Sequence, residues 1–461
     1  MSADGRGATH LLPPIRERPH PGQVSGGARL SVGQGGSPPA GRASDPSPDG
    51  LEARRLQRQL VLGNGPARGP AAVVPLPVGV VSAGMGLLWW LRGAETAASV
   101  WAALGLLGFA AADGLVLLSL PRLRISFGPL APQWYLLTAA RAGLGCLCAL
   151  AIPWLDATAT LMGFSALNWL AWLALVWGAI REPARIDVSE VTLYGHNSIP
   201  TNPLVRLLHI SDIHVERLGR REALLLSLVR ELHPDLIVLT GDYVNLSYVD
   251  DPISHAHARQ LLEALCAEAA ALTPSPALYA VLGSPPVDRN AAPLFDGLPI
   301  RLLRNEVVHV APRPGCAFAL IGLDCTHDLE RDAAQLERLA TTIAPGTLRI
   351  LLYHSPELMP RASRLGIDLY LCGHTHGGQI RLPLYGALVT SSRLGKRYER
   401  GLYREGTTHL YVSRGVGLEG LCAPRIRFLC SPEIILWRLY CPTQRTATPS
   451  TPDGHHCQTS C

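Results

Sequence analysis

The sequence predicts an α/β layered domain carried behind a set of apolar helices, and three observations predict it. Four apolar stretches follow one another in the first half of the chain, each near the roughly 20 residues a helix needs to cross a bilayer. Downstream, short β-rich runs alternate with segments whose apolar residues recur at helical spacing, the pattern of sheets covered by helices. Aspartates and histidines stand repeatedly where those β-rich runs end, which is where layered α/β folds keep their functional loops.

With 461 residues the chain is too long for one ordinary core. Its hydrophobic content is 48%, its charged content 17% and its mean hydropathy +0.17, a balance that puts part of it in lipid. A net charge of +5 gives no reason to expect a nucleic-acid partner. Arginine supplies almost all of the positive charge, Lys396 being the only lysine. Eleven cysteines are scattered without a Cys-x-x-Cys pair, which argues against a disulfide framework and fits a reducing compartment.

Residues 1–70 are rich in Gly, Pro, Ser and Arg and too poor in apolar side chains to offset the entropy of ordering, so a disordered tail is expected. No apolar stretch follows the first residues, so no secretory signal is expected there. The apolar stretches run 71–91, 97–120, 134–155 and 159–180, and 71–180 is read as four transmembrane helices. Trp89, Trp90, Trp134, Tyr135, Trp154 and Trp177 fall near their ends, where amphipathic rings favour the interface. Asp113, Arg141 and Asn168 lie within them; Arg141 is close enough to one end to snorkel, or it pairs with Asp113. A transport role would rest on that pair alone and is the weakest reading.

Orientation follows from the arginines. Arg54, Arg55, Arg58 and Arg68 precede the first stretch, Arg122 and Arg124 follow the second, and Arg181 and Arg185 follow the fourth, whereas the opposite side has only Arg92. Both termini and the downstream domain are therefore expected on the cytoplasmic face of the cell membrane. Arg54-Arg55 faintly resembles a twin-arginine export signal, a poorer reading with three further apolar stretches behind it.

Residues 181–203 read as a linker with an edge strand near 188–193, and 204–440 as the soluble domain. Strands are expected at 205–210, 235–240, 277–282, 301–303, 307–310, 317–323, 348–352, 367–372, 410–412 and 433–439. Helices are expected at 220–232, stopped by Pro234, and near 257–272 and 331–343. The Pro-Thr-Ser-rich stretch 441–461, with His455, His456 and Cys457, reads as a second disordered tail.

The strand ends carry Asp212 and His214, Asp242, His354, and His374 and His376. Each residue alone has a plain explanation as a turn aspartate or a surface histidine. Together, two carboxylates and four imidazoles at one sheet edge suit a pair of divalent ions such as Mn, Fe, Zn or Ni. On the glycine-flanked turn Gly373-His374-Thr375-His376-Gly377, both imidazoles can lean toward one point. Two ions bridged by a carboxylate about 3.5–4 Å apart are the arrangement used for in-line displacement at phosphorus.

Asp212-Ile213-His214, Gly241-Asp242, His354 and Gly373-His374-Thr375-His376 resemble, in order and spacing, the motifs of the calcineurin-like metallophosphoesterases. The longer ending, Gly373 to Ile380 with Gly377-Gly378-Gln379, is similar to that of a membrane-associated branch. The resemblance implies a four-layer αββα sandwich of two mixed sheets. It also implies that Asp212, His214 and His376 bind one metal, that Asp242 bridges, and that His354 and His374 bind the second.

The family's third motif is Gly-Asn-His followed by an acid, the Asn a ligand of the second metal and the His acting on the phosphate or leaving group. Here the stretch reads Gly283-Ser284-Pro285-Pro286-Val287-Asp288. Ser284 is a poor substitute for the amide oxygen, and Pro285 can neither donate a proton nor form the hydrogen bond. Loss of a positioned acid costs about 10²–10⁴ in rate. Ser284, Asp288 or Asn290 is left to replace the missing ligand. Three readings follow: a slowed enzyme with a weak second metal, a non-catalytic sensor that grips metal and a phosphate ligand and signals through the helices, or a sequence altered over these three positions. The leading expectation is a membrane-anchored, metal-dependent hydrolase of a phosphomonoester, phosphodiester or lipid-linked pyrophosphate.

Overall fold

The computed structural model describes residues 75–125, 128–194, 204–421 and 423–441. The tails expected at 1–70 and beyond 441, and part of the 181–203 linker, lie outside the described residues.

Four helices come first: α1 (Pro75–Leu91), α2 (Thr96–Arg122), α3 (Leu130–Ala151) and α4 (Ala157–Val176), the last continued by a π-helical turn, Trp177–Arg181. Asp156 starts α4 by accepting hydrogen bonds from the amides of Thr158 at 2.8 Å and Ala159 at 3.0 Å. Among the described residues three helices, Thr96–Arg122, Leu130–Ala151 and Ala157–Arg181, are long and apolar enough to cross a membrane. α1 has 17 described residues, and the first four positions of the stretch expected at 71–91 lie outside the described residues. Arg141 does not snorkel: its Nε and Nη2 donate to the Asp113 carboxylate at 2.6 and 2.7 Å, and Nη1 donates to Asn168 Oδ1 at 2.8 Å. All three residues are buried, so the polar groups of α2, α3 and α4 satisfy one another inside the bundle.

The chain then enters β1 (Asp187–Tyr194), β2 (Leu204–Ile210), α5 (Arg220–Leu232), β3 (Leu236–Leu239), α6 (Pro252–Ala270), β4 (Ala277–Ala280), the one-turn α7 (Pro285–Asp288) and β5 (Ile300–Leu302). It continues through β6 (Glu306–Arg313), β7 (Cys316–Gly322), α8 (Leu329–Thr341), β8 (Leu348–Leu352), α9 (Met359–Arg364) and β9 (Leu369–Cys372). A small hairpin of β10 (Arg381–Leu382) and β11 (Gly386–Ala387) precedes β12 (Gly401–Glu405), β13 (Thr408–Val412) and β14 (Glu433–Tyr440). The hairpin and β12 were not expected, being too short or too polar to stand out.

Two six-stranded mixed sheets result, ordered β1-β14-β2-β3-β4-β5 and β12-β13-β9-β8-β7-β6. Val205, Leu207, Leu236 and Val238 of the first pack against Phe318, Leu320, Ile350, Leu352, Leu369 and Leu371 of the second, with Trp437 between. The alternate residues Leu208, Ile210, Ile237 and Leu239 face Leu225, Val229, Leu261 and Leu265 of α5 and α6. On the other side Ile321, Leu351 and Tyr370 meet Leu336 and Ala362 of α8 and α9. The strands are buried on both faces, which is why they read as unbroken apolar runs. This is the expected αββα layering behind a four-helix region.

One disulfide, Cys316–Cys441, joins positions 125 apart, a pairing that cysteine spacing could not reveal; six further described cysteines are free. The bundle meets the domain through the segment before β14. The Arg427 amide donates to Gly178 O at 2.9 Å, the Arg425 amide donates to Gln133 Oε1 at 3.3 Å, and the Leu429 amide donates to Glu182 Oε2 at 3.0 Å.

Candidate metal centre

Four parallel strands, β2 and β3 of one sheet and β8 and β9 of the other, end at the same place and deliver all six residues picked out in the sequence. Asp212, His214, Asp242, His374 and His376 have positive φ, between 45° and 72°. Asp and His are among the non-glycine residues enriched there, and the strain, about 1–3 kcal/mol each, folds these side chains inward instead of letting them alternate. Gly373 and Gly283 leave room for this, since a Cβ at either would overlap the carboxylate of Asp212 or Asp242.

The six side chains form two triads. Asp212, His214 and His376 make one and Asp242, His354 and His374 the other, each with candidate ligand atoms within 4.8 Å of one another. His374 and His376 do not lean toward one point, as the turn alone suggested, but serve different triads. His214 Nε2 and His376 Nε2 are 3.0 Å apart; His354 Nε2 and His374 Nδ1 are 3.2 Å apart. Asp242 Oδ2 lies 3.6 Å from His214 Nε2 and 3.3 Å from His354 Nε2, between the two groups. His374 is half-buried and the other five are buried.

Such a set fits two divalent ions. Asp212 Oδ2 is buried without a hydrogen-bonding partner, and the His214 and His376 Nε2 atoms, which face each other at 3.0 Å, suit a cation held between them. Burial pushes the Asp212 carboxyl up to about 6 and the His214 and His374 imidazoles down to about 4, and holds His376 well below its usual range. Burial also opposes a charge on His354, but the Asp242 carboxylate beside it wins and raises it to about 10. Burial works to raise Asp242 in turn, and the His354 charge overcomes it and holds it below the usual carboxylate range.

Supporting groups fix these side chains. His354 Nδ1 donates to Thr240 O at 2.8 Å, leaving Nε2 for the centre. The His374 amide donates to Asp212 Oδ1 at 2.9 Å and the Ser284 amide to Asp242 Oδ1 at 2.7 Å. Asp288 does not replace the missing ligand: its carboxylate accepts from the amides of Asp242, Tyr243 and Gly283 at 2.7 to 2.9 Å and ties the two loops together. Asn290 points to Asp250 at 3.5 Å in solvent. Ser284 is the one of the three that faces a triad, its Oγ 3.2 Å from His374 Nδ1. Pro285 opens α7, where its lack of an amide proton is harmless.

Sequence reasoning missed three neighbours. Glu419 Oε2 lies 3.4 Å from His214 Nδ1. Buried Arg427 donates to the carbonyls of Arg414 and Gly417 at 2.7 and 2.6 Å, with Nη2 3.4 Å from His376 Nδ1. His327, on the loop after β7, places its ring 6.1 Å from that of His374, with Nε2 buried and without a hydrogen-bonding partner. None has a motif around it; only the folded loops bring them in.

The sequence profile of the family described as calcineurin-like phosphoesterase matches residues 205–378. The chain is 29% identical over 265 residues to the uncharacterized metallophosphoesterase YkuE of Bacillus subtilis, covering 56% of this chain and 87% of that protein. It is 32% identical over 240 residues to the phosphodiesterase YaeI of Escherichia coli, covering 51% of this chain and 82% of that one. To the UDP-2,3-diacylglucosamine pyrophosphatase LpxG of Chlamydia trachomatis it is 26% identical over 337 residues, covering 62% and 98%. With two Asp/His triads at the strand ends of an αββα sandwich and membrane-spanning helices ahead of it, the chain belongs to the calcineurin-like phosphoesterases, a family of metal-dependent hydrolases.

Proposed function

We propose that the chain hydrolyses a phosphate ester or pyrophosphate presented at a membrane surface. In this reading residues 204–440 are the working domain, 71–180 the anchor, and Asp212, His214 and His376 hold one divalent ion while His354 and His374 hold a second. The observation that carries it is the position of Asp242 Oδ2, 3.6 Å from His214 Nε2 and 3.3 Å from His354 Nε2, so that one carboxylate serves both triads. When bound, two such ions, Mn, Fe, Zn or Ni, polarise phosphoryl oxygens and lower the pKa of a water molecule at the site. The chain's own part is orientation: backbone amides aim Asp212 and Asp242, and Thr240 O fixes the His354 ring. His327 supplies the imidazole contact to the phosphoryl group that Pro285 cannot make. It stands beside His374 without belonging to the second triad's 4.8 Å cluster, as a phosphate contact rather than a ligand would. A lipid-linked substrate is favoured by the helices and by a relative named for a diacylglucosamine pyrophosphatase.

The test is release of product from an aryl phosphodiester with added Mn, compared with an Asp212→Ala, Asp242→Ala double variant under the same metal. Equal rates in the two would end the enzyme reading. The sensor reading is favoured by one observation, Ser284-Pro285 in place of Asn-His, and gains if metal-loaded protein binds phosphate without turnover. The arginine asymmetry favours the cytoplasmic face for the domain. The Cys316–Cys441 bridge opposes that side, because structural disulfides persist in oxidising compartments. Proteolysis of the domain in sealed vesicles of known sidedness decides between them.

A further inference from the structure

We infer that the hairpin formed by β10 and β11, with the residues that follow it, rests its tip in the bilayer surface and so holds the metal centre at the level of lipid headgroups. It runs Arg381-Leu382-Pro383-Leu384-Tyr385-Gly386-Ala387-Leu388-Val389, paired Arg381 to Ala387 and Leu382 to Gly386. At its tip Leu384 is fully exposed in a left-handed conformation, φ 64°, where a water-facing turn uses Gly or Asn. Leu382, Tyr385, Leu388 and Val389 are exposed as well. One exposed leucine needs no explanation, but five apolar side chains on one small hairpin form a patch that marks a contact surface.

The occupant follows from where the hairpin stands. The Arg427 amide bonds Gly178 in the π-helical turn that ends the last membrane helix, and the next residue, Phe428, pairs with the hairpin's base. The Arg381 amide donates to Phe428 O at 3.0 Å, and the Phe428 amide donates to Gln379 O at 2.9 Å. One strand spacing, about 5 Å, thus separates the hairpin from a segment bonded to the end of that helix. Trp177 in that π-helical turn and Leu429 next to Phe428 are both exposed. Lys396, the only lysine in the chain, sets its Nζ 3.1 Å from the centre of the Tyr385 ring and donates to Tyr385 O at 3.2 Å. An aromatic ring under a cation beside apolar tips is the chemistry of a membrane interface carrying anionic headgroups.

The same hairpin touches the centre from its other side. Arg381 Nη1 donates to Gly377 O at 2.9 Å and pairs with Glu399 at 2.8 Å, and Gly378 lies against Ala387, two residues after His376. A phosphate carried on an amphiphile would then reach the triads without leaving the surface, which deepens the proposed function and rests on it for the substrate though not for the contact.

The experiment uses the full chain in vesicles of phosphatidylcholine and phosphatidylglycerol carrying a phosphatidylcholine with a diazirine high on its acyl chain. After illumination, adducts are mapped by mass spectrometry, with helices Thr96–Arg122 and Leu130–Ala151 as the internal reference. Adducts at residues 382–389 are expected, and their loss in the Leu384→Asp, Tyr385→Asp variant. Adducts on the helices with none on the hairpin would overturn the inference. In turnover assays the variant should keep its rate on a soluble aryl phosphodiester and lose roughly tenfold or more on a phosphate ester embedded in the vesicles. Equal loss on both substrates would assign the hairpin a structural role instead. Absence of turnover in the unaltered chain would sink the enzyme reading alone, since the adducts still decide the contact.

Discussion

The two triads have the same residue types, one Asp and two His, yet they differ in completeness. The triad of Asp212, His214 and His376 is wholly buried, with Glu419 and Arg427 behind its imidazoles. The triad of Asp242, His354 and His374 opens toward solvent at His374 and has the Ser284 hydroxyl 3.2 Å from His374 Nδ1. The first group is the more enclosed candidate for an ion; the second includes Asp242, whose Oδ2 also lies 3.6 Å from His214 Nε2 of the first.

The sharpest way to break the comparison is Asp242→Ala. Losing the shared carboxylate should remove several kcal/mol of transition-state stabilisation, on the order of a thousandfold in rate. Elemental analysis should show the second ion gone, whereas two ions retained would mean the triads are independent. Next, Ser284→Asn with Pro285→His should raise turnover about a hundredfold or more if the second triad lacks only the amide and the acid. No change there would place the deficit elsewhere. Glu419→Gln should cost about 10–100-fold in affinity at the first triad and leave the second alone, as read by competitive metal titration. His327→Ala should keep both ions while weakening inorganic phosphate binding to the metal-loaded protein by roughly tenfold, with His327→Asn recovering part of it. Loss of an ion would make His327 a ligand instead.

Proton uptake separates the triads most finely. At pH 7 Asp212, pushed up to about 6, is mostly deprotonated and His214, near 4, fully so, and affinity at the first triad should level off above about pH 7. His354, raised to about 10 by Asp242, carries a proton that must leave before its Nε2 can bind. Affinity at the second triad should accordingly rise about tenfold per pH unit up to about 10. Calorimetry in buffers of different ionisation enthalpy at pH 7 should count one proton released for the second ion and none for the first.

Much of this centre was legible because its residues sit next to the ends of unmistakable strands. Asp212, Asp242, His354 and His374 each follow an apolar run within three residues, so locating the runs located the candidate ligands. The neighbours were not legible for the opposite reason. Glu419 and Arg427 belong to an irregular stretch between β13 and β14 with no period to read, and His327 stands on a turn whose neighbours are ordinary. Boundaries slipped where local propensity met a cap: α6 starts at Pro252, under the Asp251 side chain, and not near 257.

What the sequence determined by itself was the layered fold, the apolar anchor and the six ligand candidates, since periodicity and chain order follow from local chemistry. Which histidine joins which triad, that Asp288 binds backbone rather than metal, that Arg141 pairs inside the bundle, and that a hairpin of leucines stands beside the last membrane helix were decided by the tertiary structure alone. Each depends on how loops far apart in the chain close over one another, and burial together with left-handed backbone turns sets that closure where no run of neighbouring residues records it.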